Sequence, residues 1–326
     1  MVFEEDVQTF AVGPDGKIVC SVPHMKRIKK VIIERDDIWL LTANGSRKRI
    51  VEGDKFMPAP PPTTYVVEKL EWSPNGRRIA MSMNVQPMST DDTNSSSGGK
   101  QVALLEEEGG EIRVSGSKER FLEDSWDAAY LADDATVVYL TGVNGMKIMR
   151  LRPSEGKAVA LFEGHSFDSI TWDTKRNQAF AVGRGLSVSG RTALLQLDLV
   201  NETLREIARV EDIRGKVIVS PSGKRIGYFE NGDTIAVVDL ANPQKVMRVR
   251  AGIGRFEFGR DEQRILLKRG AEEDKSGDLV WVGLQDGSFR PILHDLTVRN
   301  FHIAPDGESL VITDPGKRIL KVFPME

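Results

Sequence analysis

One short figure recurs along this chain and limits what it can fold into. Residues 12–19 read VGPDGKIV, 71–80 read EWSPNGRRIA, 219–227 read VSPSGKRIG and 303–310 read IAPDGESL. Each places Pro-x-Gly between an apolar residue and an apolar, strand-like run. Proline presets φ at the first corner of a tight turn, and glycine takes the positive φ that other residues resist. Looser copies fill the gaps at 130–140 (YLADDATVVYL), 171–182 (TWDTKRNQAFAV) and 257–267 (EFGRDEQRILL). With Pro14, Pro74, Ala132, Asp173, Pro221, Arg260 and Pro305 as equivalent points, the steps are 60, 58, 41, 48, 39 and 45 residues.

A second pattern keeps the same phase. After each turn comes an apolar segment, a short polar turn and another alternating segment. Examples are IWLLTANGSRKRIV, VALLEEEGGEIRVS and IAVVDLANPQKVMRV. Alternation with period two between Gly, Asn and Asp turns marks β-hairpins, and no stretch keeps a helical period. Each unit therefore reads as four antiparallel strands, a to d. Four strands per unit and a step near 40–45 residues predict a β-propeller.

The expected fold is all-β: a seven-bladed β-propeller of four-stranded antiparallel blades in one domain, 1–326. The blades fall near 7–53, 66–118, 124–164, 166–211, 214–251, 254–294 and 298–326. The last unit, ending RILKVFPME, lacks strand d. Residues 1–5 are expected to supply it, so the N-terminal strand closes the last blade.

WSPNGRRIAMS, VSPSGKRIGYF and IAPDGESLVI resemble the repeats of the TolB-like propeller family, which also form the lid propellers of prolyl-oligopeptidase-like enzymes. LFEGHSFDSITW at 161–172 resembles the Gly-His entry of tryptophan–aspartate repeats, although the Trp-Asp ending is missing. The resemblance implies a propeller along the whole chain. It implies little about function, because one scaffold hosts many activities. TolB's α/β domain and the peptidases' hydrolase domain have no counterpart here.

Bulk properties narrow the function classes. Net charge is −3 over 326 residues, which argues against nucleic acid as a partner. The single cysteine, Cys20, permits no intramolecular disulfide. No apolar run is long enough to span a bilayer. The compartment stays open: cytoplasmic if Met1 is the native start, periplasmic or secreted if a signal was removed. No G-x-S-x-G elbow is present, and 185–190 (GLSVSG) misses its spacing. Gly183-x-Gly185 and Gly252-x-Gly254 lack the third glycine of a dinucleotide loop. The four histidines form no H-x-x-x-H pair. No metal or other cofactor is expected.

The irregular segments instead fall in the b–c and d–a connections, which share one face of a propeller. They lie at 23–35, 52–66, 84–100, 183–191 and 269–278. Loops on a rigid scaffold commonly carry function. The first holds Lys26, Arg27, Lys29 and Lys30 with Ile32. These five are the candidate partner-binding residues. His294, Asp295 and His302 flank one d–a loop and are candidates for the channel mouth.

The reading favoured is a non-enzymatic scaffold, monomeric in isolation, that binds a protein or peptide through the loop-bearing face. One alternative is a propeller enzyme or small-ligand binder, such as a lactonase-like hydrolase with a metal at the central channel. The other is a regulatory or lid subunit of a larger assembly.

Overall fold

A computed structural model describes residues 1–28, 31–56, 63–87, 99–108, 111–115, 121–142, 146–165, 167–183, 192–210, 213–252, 254–269, 277–296, 298, 300–314 and 317–325. Its described residues form β-strands and one short 3-10 turn at Thr174–Arg176. No helix among them is long and apolar enough to cross a membrane.

Strand β1 is Val2–Phe3. The first two sequence units supply β2 (Thr9–Val12), β3 (Ile18–Ile28), β4 (Val31–Leu41), β5 (Arg47–Val51), β6 (Thr63–Trp72), β7 (Arg78–Pro87), β8 (Gly99–Glu108), β9 (Glu111–Val114) and β10 (Phe121–Glu123). The next units supply β11 (Ser125–Tyr130), β12 (Val137–Thr141), β13 (Lys147–Arg152) and β14 (Lys157–Leu161), then β15 (Ser169–Asp173), β16 (Gln178–Gly183), β17 (Thr192–Asp198) and β18 (Thr203–Val210). Strands β19 (Ile213–Val219), β20 (Arg225–Glu230), β21 (Thr234–Asp239) and β22 (Asn242–Arg250) follow. The last are β23 (Gly254–Phe258), β24 (Arg264–Arg269), β25 (Gly277–Gly283), β26 (Phe289–Leu296), β27 (Asn300–Ile303), β28 (Ser309–Asp314) and β29 (Ile319–Pro324).

Four sheets are simple meanders of four strands, β11–β14, β15–β18, β19–β22 and β23–β26. A fifth has the order β1-β29-β28-β27, with the chain's first strand at its edge. The expectation of seven separate blades is corrected here. Among the described residues there are five four-stranded blades, and the first two units run together in one nine-stranded sheet. One contact joins the two units, and a second feature widens the joined sheet. Strand β4 reaches β6 and forms a parallel bridge, Arg35↔Tyr65. Strand β8 carries two outer partners in succession, β9 along Leu105–Glu108 and β10 along Gln101–Ala103.

By contact density the chain divides into two compact units. The first is Met1–Asn144 with Ile148–Ala160 and Arg318–Leu320; the second holds the remainder. The first unit's core includes Val19, Ile38, Tyr65, Met81 and Leu105, all below 4% exposed. Aromatic rings fill much of the second. Phe256 meets Phe229 and Phe258 edge to face, and Phe301 and Trp281 share a further cluster. Such edge-to-face packing suits the ring quadrupole.

The Pro-x-Gly turns serve two ends at once. Gly16, Gly76, Gly223 and Gly307 all have positive φ, between 69° and 78°. Three of them are also crowded. A Cβ on Gly76 would come 3.1 Å from the Pro14 ring, one on Gly307 would meet Arg260 Cβ at 2.8 Å, and one on Gly223 would collide with the Arg176 guanidinium. Arginines link successive turns: Arg176 donates to Pro221 O (3.0 Å), Arg225 to Glu262 O (2.7 Å) and Arg260 to Asp306 O (2.6 Å). Arg78 donates likewise to Asp134 O.

Candidate functional site

The b–c connection of the first unit is a hairpin longer than its sheet. Strands β3 and β4 pair through eleven consecutive positions, from Ile18↔Leu41 to Ile28↔Val31. Strand β2 accompanies β3 only from Ile18 to Ser21, and β5 accompanies β4 only from Ile38 to Leu41. The distal half therefore outruns both flanking strands. Residues directly opposite in an antiparallel pair share a face, and successive residues alternate faces.

Register divides the basic cluster. Arg27 pairs with Ile32 and Met25 with Glu34, so these four share one face. Met25 and Ile32 are 66% and 63% exposed, the highest values among the exposed large apolar side chains of the described residues. The opposite face carries His24 and Lys26 and is pinned down. Lys26 Nζ lies 2.7 Å from Asp54 Oδ2, His24 Nε2 lies 3.7 Å from the same oxygen, and Arg35 Nη1 lies 3.7 Å from Oδ1. The hydrogen bond from Lys26 holds the Asp54 carboxyl below its usual range. Ile33, the cross-strand partner of Lys26, is 1% exposed. Lys26 and Arg27 thus do different jobs. Lys29 and Lys30 lie outside the described residues.

The hairpin stands on buried charge. Arg35, Asp36 and Asp37 are consecutive in β4 and all buried. Arg35 Nε donates to Thr63 O at 2.9 Å. Asp36 Oδ2 accepts from Val67 N at 2.8 Å, and its backbone carbonyl accepts from Tyr65 Oη at 2.9 Å. Asp37 accepts from Gly53 N at 2.7 Å and from Arg49 Nη1 at 3.0 Å. Gly53 is needed there, since a Cβ would lie 3.0 Å from Arg35 O.

Asp36 is the anomaly in this base. Its Oδ1 is buried without a hydrogen-bond partner among the described residues. Burial pushes its carboxyl up to about 7, helped by the charges of Glu34 and Asp37 and opposed by the Val67 N–H and the Ser21 hydroxyl. Desolvation disfavours the charged form of an acid that lacks a cationic partner. The sequence carried a signal of this base that went unread. Glu34-Arg35-Asp36-Asp37 interrupts two apolar runs inside one strand, where isolated charges must be paired or neutralised.

The other candidate residues are not gathered at one place. His294, in the outer strand β26, lies 3.4 Å from Asp278 and is largely exposed. His302, in β27, lies 3.1 Å from Glu257 of β23. Burial alone would raise the Glu257 carboxyl, but His302 and Arg255 hold it below its ordinary value. The side chain of Asp295 lies outside the described set. Among the described residues no group of three or more His, Cys, Asp or Glu side chains could hold a metal ion.

The chain is similar to the β-propeller domain of Cps50 (Swd1) from Myceliophteria thermophila. The TM-score is 0.63 at 11% identity, over 99% of this chain and 98% of that one. The fold is a β-propeller. A chain from a structure of the Mitotic Checkpoint Complex is similar too, with a TM-score of 0.63 at 12% identity, over 100% of this propeller and 91% of that chain. No family model and no curated protein matches the sequence. At such identities the likeness extends to the propeller fold alone.

Proposed function

We propose that this propeller is a non-enzymatic scaffold that docks a protein or peptide through the exposed face of the β3–β4 hairpin. The observation that carries the reading is the pairing of Met25 and Ile32, both mostly exposed, with Arg27 and Glu34 on one face of a hairpin whose other face is fixed. Apolar side chains held in water on a rigid element favour a partner that covers them. Arg27 adds a charge that orients such a partner. The presence of a similar chain in a multiprotein complex is in keeping with this role. In the same reading the Pro-x-Gly repeats are of the TolB-like type, and the chain alone is a monomer.

The test is a photo-crosslinking residue placed at Met25, at Ile32, or at Val200, a 54% exposed control. In cells that make the protein, discrete adducts are expected from positions 25 and 32 and not from 200. Identical adducts from all three, or none from 25 and 32, would overturn the reading. A dimer-sized adduct from the purified chain would reassign the hairpin to self-association.

A further inference from the structure

A second surface lies in the second unit, far along the chain from the hairpin. At the turn ends of sheets β19–β22 and β23–β26 the structure leaves a groove of about 360 Å³. That volume lies at the small end of the range for ligand pockets. Its apolar lining is Met247, half-buried, and Leu284, 4% exposed. One wall carries Arg225, Asp239 and Lys245, from three successive strands. The other carries Gln263 and Gln285.

The wall has unspent charge. Arg225 spends one N–H on Glu262 O. Neither Arg225 nor Lys245 is in an ion pair among the described residues. The neighbouring carboxylates are engaged elsewhere: Glu262 with Ser222 N and Oγ, Asp261 with Arg264, Asp286 with Ser288. Asp239 is the cross-strand partner of Arg225, and its Oδ1 accepts from Ala241 N. Its charge on the same wall disfavours a polyanion and leaves room for one carboxylate. Gln285 Nε2 donates to Gln263 Oε1 at 3.1 Å, which leaves the Gln285 carbonyl to accept an N–H.

From these groups we infer that the groove binds a short peptide segment with a single carboxylate beside an apolar side chain. The carboxylate sits between Arg225 and Lys245, the apolar group lies on Met247 and Leu284, and a backbone N–H meets Gln285. This site is independent of the hairpin.

Methyl-labelled methionine provides the readout, because Met247 lines the groove and Met25 marks the hairpin. The full chain is titrated with acetyl-Leu-Glu-Leu-amide. The expected result is a saturable shift of the Met247 methyl with Met25 unmoved. Leu-Gln-Leu should bind at least fivefold more weakly, Lys245→Glu should weaken binding at least tenfold, and Lys245→Arg should retain it. Lys245 is exposed, so these variants keep the fold, and the other methionine methyls report on it directly. A silent Met247, equal binding of Leu-Lys-Leu, unchanged binding by Lys245→Glu, or a shift at Met25 instead would each overturn the inference.

Discussion

The Pro-x-Gly turns and the β3–β4 hairpin are both strand connections, yet they spend their side chains in opposite ways. At the turns, each unit consumes what its neighbour offers. Arg176, Arg225 and Arg260 donate to a carbonyl of the following turn, and Gly223 and Gly307 leave room for the arginine that arrives. Beyond the Arg35↔Tyr65 bridge the hairpin pairs with no flanking strand among the described residues. One of its faces is tied to Asp54, and the other holds Met25 and Ile32 in water. A repeat that satisfies itself serves stability. The segment that outruns the repeat is free for recognition.

The comparison is broken hardest by removing the hairpin's base. Tyr65 is fully buried, packs against Phe56 and donates to Asp36 O. Tyr65→Ala should cost about 3–5 kcal/mol, as large-to-small changes of buried aromatics do. Tyr65→Phe should cost about 1 kcal/mol, since it removes only the hydroxyl's hydrogen bond. Urea unfolding of both variants is the check. Equal losses would mean that the ring, the larger group, contributes nothing beyond its hydroxyl.

Next in size is the dependence on pH. The folded Asp36 carboxyl titrates near 7, against about 3.9 in an unfolded chain. The fold therefore binds the proton more tightly than the unfolded chain does. This contribution is fully present below the unfolded value and is lost as pH rises through about 7. Three units at about 1.4 kcal/mol each set a ceiling on the order of 4 kcal/mol. The carboxyls held low, Asp54 and Glu257 among them, act with the opposite sign below about pH 4.5. Histidines also change charge between pH 5 and 8, so the comparison with Asp36→Asn is what isolates Asp36. Wild type should lose stability across that range relative to Asp36→Asn, whose amide oxygen can still accept from Val67 N. Parallel curves for the two proteins would show that Asp36 ionises freely.

How far the sequence revealed this structure depends on the range of the interaction. The turns were legible because their chemistry is local: positive φ at Gly16, Gly76, Gly223 and Gly307 needs no distant partner. The crowding of the same glycines was hidden, because Pro14, Arg176 and Arg260 arrive from the preceding turn. The merger of the first two units was hidden too, since it rests on one bridge between Arg35 and Tyr65, 30 positions apart. Lys26 and Arg27 looked like one basic cluster, although adjacent residues in a strand must face opposite ways. His294 and His302 lie close in sequence, yet strand pairing gives them different carboxylate partners.

Smaller effects separate the crowded turns from ordinary ones. Gly307→Ala meets both a positive φ and Arg260 Cβ, and should cost about 2 kcal/mol. Gly45→Ala meets the same kind of φ with nothing within 4 Å, and should cost about 1 kcal/mol. Equal costs would mean that the arginine moves aside freely and that the interlocking of successive turns is incidental.

The smallest effect on stability is expected where the effect on binding should be largest. Met25 and Ile32 are about two-thirds exposed, so replacing both with serine removes little apolar surface from a core. Substitutions of this kind usually stay within about 0.5 kcal/mol. The double variant should therefore unfold at the same urea concentration as wild type. In the crosslinking experiment, with the probe moved to the neighbouring Arg27, the adduct should fall away. A clear loss of stability would show that the two side chains pack against the protein, and the exposed face would then belong to the fold and not to a partner.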